Sequence, residues 1–119
     1  MGNNTRNIGL IGENIAVNYL LDNGYKILDR NFRVKAGEID IVAQICQTIV
    51  FVEVKSRTSN RYGLPYESVN YKKQQKIIRV AQNYINFKRL INYEYRFDII
   101  EVYLNADRKI NHIQNAFWT

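Results

Sequence analysis

The sequence predicts an α/β fold: a single domain with a mixed sheet flanked by helices in the order αβββαβ(β). Three observations predict it. The chain has 119 residues, 46% apolar and 24% charged, near the common domain size and of ordinary globular composition. The hydrophobic period switches from helical to alternating and back along the chain. One proline and no Ser/Gly-rich stretch leave no place for a linker. One domain is therefore expected over 1–119, with its ordered core from about Ile8 to Phe117.

Ile8 to Asp22 reads as a helix. Ile8, Ile11, Ile15 and Tyr19 recur at helical steps, and a second apolar line of Ala16, Val17 and Leu20 runs beside them. Gly24 fits a helix stop. Gly9 and Gly12 cost helix stability, so close packing or a short non-helical entry is expected there. Tyr25 to Val34, Glu38 to Ala43 and Ile49 to Lys55 read as strands, rich in β-branched residues and separated by turn signals. Ser56 to Pro65 is a polar loop. Ser68 to about Lys88 reads as a second helix, with Ser68 its N-cap and a buried stripe of Gln74, Ile77, Ile78, Ala81, Tyr84 and Ile85. Tyr95 to Leu104 is a fourth strand and Ile110 to Phe117 a short fifth. Three adjacent strands flanked by helices suggest a mixed sheet with a helix on each face.

Composition narrows the function. A single cysteine, Cys46, excludes an internal disulfide and a multi-Cys zinc site. A single histidine, His112, argues against His-rich metal centres and catalytic triads. The N-terminus lacks the apolar run of a signal peptide, and no stretch reaches the ~18 apolar residues of a membrane span. The expected compartment is the cytoplasm, with no membrane partner. Seventeen Lys and Arg against eleven acids give a net charge of +6 and point to an anionic partner.

The chemistry is concentrated in the second and third strands. Asp40 lies in Gly37-Glu38-Ile39-Asp40-Ile41-Val42-Ala43, and Glu53 and Lys55 lie in Phe51-Val52-Glu53-Val54-Lys55. Strand side chains alternate, so Glu53 and Lys55 share a face. A hairpin between the strands can set Asp40 across from Glu53. Two carboxylates and an ammonium at one rim of an apolar sheet suit metal-assisted phosphodiester hydrolysis. Mg²⁺ (or Mn²⁺) takes oxygen ligands, commonly one or two carboxylates plus water and phosphate oxygens. The Val54 carbonyl would be a further ligand, and Lys55 would hold the attacking water or the phosphate. The same charges also fit an edge strand guarded against aggregation, and the residue pattern leaves both readings open.

Glu13 is the fourth candidate. It falls on the apolar face with Ala16, Val17 and Leu20, where a carboxylate is costly unless paired or metal-bound. It would orient water or hold a second metal. Alternatively it lies at an exposed helix start and complements the dipole.

The chain resembles the YraN family of small bacterial proteins, classed with endonucleases of the PD-(D/E)XK, or restriction-endonuclease-like, superfamily. The resemblance runs through Gly12-Glu13, Ala16, Tyr19-Leu20, Gly24-Tyr25, Ile27-Leu28 and Arg30 to Arg33. It continues through Gly37 to Ala43, Phe51 to Arg57, Gly63, Pro65, Glu67 and Val69, and ends with Arg96-Phe97-Asp98 and Ile113 to Phe117. It implies a restriction-endonuclease-like core, metal ligands at Asp40 and Glu53, a catalytic lysine at Lys55 and a helix-borne acid at Glu13. Ile39 stands where the superfamily's name has proline, a position with no obvious role in metal binding. The layout is also similar to archaeal Holliday-junction resolvases, which implies branched DNA as a substrate.

The excess charge is one-sided. Nine basic residues and one acid lie between Val54 and Arg89, a net of +8 in that stretch. Arg57 and Arg61 follow the third strand, and Lys72, Lys76 and Arg79 recur at helical steps beside the apolar stripe. Lys73 falls off that line. Tyr62, Tyr66 and Tyr71 are interleaved and could stack on unpaired bases. Such a surface would track DNA phosphates without reading sequence, although a solvated helix face has the same appearance. A non-catalytic nucleic-acid-binding module, or a protein whose basic face binds an acidic partner, would need only this surface. Gln74 reads as a helix-border residue, His112 as structural and Cys46 as incidental. Asp98 either pairs with a basic side chain near the site or faces water. Phe117 and Trp118 would cover a core edge, and an exposed aromatic end would support a homodimer.

Overall fold

A computed structural model describes residues 4–58, 69–105 and 108–117. Among these, α1 (Asn4–Asp22) precedes β1 (Lys26–Val34), β2 (Gly37–Ile45) and β3 (Thr48–Arg57). Then follow α2 (Tyr71–Lys88), β4 (Glu94–Tyr103) and β5 (Ile110–Ile113). The five strands form one mixed sheet in the order β1-β2-β3-β4-β5. Pairing is antiparallel except between β3 and β4, which run parallel. That parallel pair needs a crossover, and α2 lies in it. The expected element order, mixed sheet and helix on each face are all present.

Alternation along the central strands divides the core in two. Val50 and Val52 of β3 and Ile100 and Val102 of β4 pack against Ala16 and Leu20 of α1. Ile49 and Phe51, with Phe97 and Ile99, pack against Ile77, Ile78, Ala81 and Tyr84 of α2. Phe117 joins this second cluster and stacks on Phe97 at 5.1 Å, so it covers a core edge. Trp118 lies outside the described residues.

α1 begins four residues earlier than expected and turns a different stripe inward. Gly12, Glu13, Ala16 and Leu20 are buried, whereas Ile11 is 45% exposed. Close approach at Gly12 accounts for this. A Cβ there would fall 1.8 Å from Ser56 Oγ, so the helix leans on β3 through its glycine and the second apolar line faces the sheet. The helix stops at Gly24, whose φ is +86°, and Tyr25 N–H donates to the Leu20 carbonyl. In α2 the cap is Asn70, whose Oδ1 accepts the Lys73 N–H at 2.9 Å. The expected cap, Ser68, lies outside the described residues. Gln74 donates to the Val69 carbonyl at 2.9 Å, a helix-border role as read.

One irregularity positions the site. Asp29 of β1 faces α2, accepting the Tyr84 hydroxyl at 3.1 Å, and Arg30 faces α1 through Glu13 and Asn14. Asn31 should return to the α2 side. It has a φ of +54° and also reaches Glu13, while Phe32 packs in the α2 cluster. On β2, Ile41 faces α1 but Ile39, two residues away, lies in the α2 cluster. The register sets Asn31 opposite Asp40. Both strands therefore slip their facing at the position that holds the first candidate acid.

Candidate active site

β2 and β3 pair from Ile45↔Thr48 to Ile41↔Val52. At the next step Asp40 and Glu53 stand opposite each other. There the Val54 N–H donates to Asp40 Oδ2 at 2.8 Å. Asp40 and Glu53 also share a hydrogen bond, so the two carboxylates lie on the same side. Burial raises the Asp40 carboxyl, and the hydrogen bond and charge of Glu53 raise it further. The Val54 N–H opposes them, and the outcome is a pKa of about 8.

Lys55 completes the cluster. Its burial lowers its pKa, and the Lys73 side chain beside it adds to that. Glu53 and Asp40 pull the other way, and the outcome is about 8. Lys73 is the residue that falls off the helical line of cations. It is on the first turn of α2 and only half exposed, whereas Lys72, Lys76 and Arg79 are exposed.

Two adjoining clefts meet at Asp40. One, of about 530 Å³, is lined by Glu13, Asn31, Asp40, Val54, Lys55 and Ser56 among others. The other, of about 240 Å³, is lined by Glu38, Asp40, Glu53, Lys73, Lys76 and Ile77, with Gly37 at its edge. The four candidates are thus neighbours, but Glu13 and Glu53 open into different clefts. Glu13 is 8% exposed, so it does not sit at an exposed helix start. Its Oε1 accepts from Arg30 Nε at 3.0 Å and from Asn31 Nδ2 at 3.0 Å. Among the described residues no three acid, His or Cys side chains gather as a metal cage.

The basic surface is partly engaged. Arg57 is bonded to Glu101 at 2.9 Å. Glu101 is wholly buried and also accepts the Tyr103 hydroxyl. Glu101 carries in the sequence the same signal as Asp40 and Glu53, an acid in an apolar strand, but its partner Arg57 comes from β3. Arg61 lies outside the described residues, as do Tyr62 and Tyr66. Lys72, Lys73, Lys76 and Asn70 line a groove beside the Asp40–Glu53 cleft.

Asp98 belongs elsewhere. It is buried at the far end of α1, where Arg96 grips it with two bonds of 2.9 Å. His112 Nε2 donates to it at 2.7 Å and the Asn115 N–H at 2.9 Å. Burial alone would raise its carboxyl, but these bonds outweigh it and hold the group below its usual range. His112 is therefore structural, as read, and its Nδ1 takes the Tyr19 hydroxyl at 2.9 Å. Cys46 is exposed in the β2–β3 turn.

Residues 12–102 match the sequence signature of the uncharacterised protein family UPF0102. The chain belongs to that family. A UPF0102 protein of Caldanaerobacter subterraneus subsp. tengcongensis is 53% identical over 118 residues, covering 96% of this chain and 97% of the relative. One from Clostridioides difficile is 54% identical over 114 residues, covering 96% and 99%. One from Clostridium beijerinckii is 54% identical over 115 residues, covering 94% of each. The YraN resemblance is thereby borne out, and the UPF0102 match takes in Glu13, Asp40, Glu53, Lys55 and Lys73. Among the described residues no helix of this UPF0102 chain is long and apolar enough to cross a membrane.

Proposed function

We propose that this UPF0102 protein is a metal-dependent nuclease with a restriction-endonuclease-like core, hydrolysing phosphodiester bonds of branched or single-stranded DNA. The observation that carries this is the contact between the Asp40 and Glu53 carboxylates, with Lys55 at their side. Two acids held together are mutually repulsive, which suits a divalent cation between them. With two protein carboxylates, the remaining ligands would be water, phosphate oxygen and the Val54 carbonyl. A bound Mg²⁺ or Mn²⁺ would acidify water and offset charge on the phosphate. Lys55, whose pKa of about 8 leaves a fraction of it uncharged at neutral pH, would accept the proton of the attacking water; the water oxygen bonds to phosphorus as the P–O bond to the sugar breaks, and the departing sugar oxygen takes a proton from solvent. Val54 N–H fixes one Asp40 oxygen and leaves the other for the site. Glu13, held by Arg30 and Asn31, sets one wall of the cleft.

Purified protein with Mg²⁺ or Mn²⁺ should cut at least one of junction, flap and single-stranded DNA. Asp40→Asn and Lys55→Met should each abolish that activity, and cleavage that survives them refutes the site. A second reading, a non-catalytic nucleic-acid-binding module, is favoured by the engagement of Glu13 away from Glu53. It predicts salt-sensitive DNA binding without cutting, unaffected by Glu53→Gln.

A further inference from the structure

Beyond the acid cluster, the end of β1 and the second half of α2 border an open groove of about 810 Å³. Phe32, Val34, Ala36 and Phe87 make its lining mostly apolar, with the cations Arg33 and Lys35 among them and no acid. Phe87 is 74% exposed, a large aromatic surface left in water. Lys88 Nζ stands 5.6 Å from its ring centroid, so a third cation is close by. The groove is continuous with the candidate site. Arg33 lines it and also lines the 530 Å³ cleft that contains Asp40 and Lys55. Arg33 Nε donates to Glu38. A guanidinium has five donors, and this side chain is 77% exposed, so it can hold an anion as well.

We propose that this groove is a nucleobase pocket: an unpaired base stacks on Phe87, and its phosphate is held by Arg33 and Lys35. A nucleotide joins a flat, largely apolar ring to an anion, which matches an aromatic groove set with cations and free of acids. A base inside a duplex has both faces covered by its neighbours. The pocket therefore takes single-stranded or flipped-out nucleotides, and it gives the adjoining cleft a preference for strands with an unpaired end or branch. Every base has a π-face, so the preference is for strand structure and not for sequence. Continuity with the Asp40 cleft through Arg33 favours a nucleotide over a segment of protein. That the base belongs to a strand cut at Asp40 rests on the nuclease reading above; stacking on Phe87 does not.

Fluorescence anisotropy with labelled oligodeoxythymidylate and with a labelled duplex, both in metal-free buffer, tests this. Phe87→Ala should weaken single-strand binding by at least about fivefold, the low end of base–aromatic stacking, and leave duplex binding unchanged. Phe87→Trp should retain the single-strand affinity. Ile91→Ala removes an equally exposed apolar side chain outside the groove and should change neither. Lys35→Ala should weaken single-strand binding and lower its salt slope by about 0.7. An oligomer carrying 5-iododeoxyuridine should photo-crosslink to Phe87. Unchanged single-strand affinity in Phe87→Ala, or equal losses for single strand and duplex, overturns the pocket. If Phe87→Ala instead alters only the oligomeric state, the groove belongs to a second copy of the chain and the pocket is equally overturned. Mg²⁺-dependent cleavage is scored separately. Phe87-dependent single-strand binding without cleavage sinks the nuclease reading and keeps the pocket. Single-strand cleavage with kcat and KM unchanged in Phe87→Ala does the reverse.

Discussion

Asp40 Oδ2 accepts the backbone N–H of Val54 at 2.8 Å. A side chain of β2 thus takes up a backbone donor of β3 where the regular pairing ends. The donor is satisfied, the strands separate, and the opening is lined by Asp40 on both of its sides. The slip in facing at Asn31 and Asp40 belongs to the same opening.

This relationship predicts a pH effect on stability. Asp40 titrates at about 8 in the fold, against 3.8 for an unperturbed carboxyl. Between those values the native state keeps a proton that the unfolded chain has lost, so stability falls as pH rises through that window. Asp40→Asn keeps an acceptor for Val54 N–H and removes the titration. In metal-free buffer its Tm should approach that of the wild type near the acid end and exceed it at the alkaline end. Thermal scans across the window check this, and parallel Tm curves for the two proteins would refute it. Mg²⁺ should narrow the gap by stabilising only the wild-type fold.

Gly12 predicts a packing effect. An alanine Cβ there would meet Ser56 Oγ at 1.8 Å and Ser56 Cβ at 3.0 Å. Gly12→Ala should cost ~1–3 kcal/mol through overpacking, despite its gain in helix propensity. Combining it with Ser56→Gly should recover most of the loss, since the backbone Cα is 3.7 Å away. Urea denaturation of the four proteins gives the coupling, and simple additivity would show that the helix shifts instead.

Asp98 predicts a stability cost far from the site. Asp98→Ala leaves Arg96 and His112 facing each other with their shared acceptor gone. Removing one partner of such a buried pair costs ~3–5 kcal/mol. The urea midpoint should fall accordingly, while cleavage per folded molecule stays near the wild-type value at low temperature. A cost below about 1 kcal/mol would mean that the pair behaves as a solvated one.

The groove of α2 predicts a salt effect. Lys72 and Lys76 are exposed beside the Asp40–Glu53 cleft. Each Lys→Ala change should reduce the slope of log K against log salt by about 0.9 for duplex DNA, or about 0.7 for single strands. Fluorescence anisotropy at several salt concentrations reads this. An unchanged slope would place the bound strand elsewhere.

The candidate acids were legible because strand alternation is local. Glu53 and Lys55 share a face by their spacing, and the short β2–β3 turn brings Asp40 to Glu53. The element order, the mixed sheet and the buried stripe of α2 were legible for the same reason, since hydrophobic period needs no partner to be read. Both apolar lines of α1 were legible, but not which of them turns inward, because the closeness allowed by Gly12 against Ser56, rather than the count of apolar residues, sets that side. Glu13 with Arg30, Arg57 with Glu101, Asp98 with His112 and Lys73 beside Lys55 also had to await the tertiary structure. Each joins separate elements, and its geometry depends on how closely those elements approach and where a strand slips its facing. Sequence by itself determined which charged residues share the hairpin rim. Only the packing of α1 and α2 against the sheet decided which charges are bonded to one another and which are left facing the two clefts.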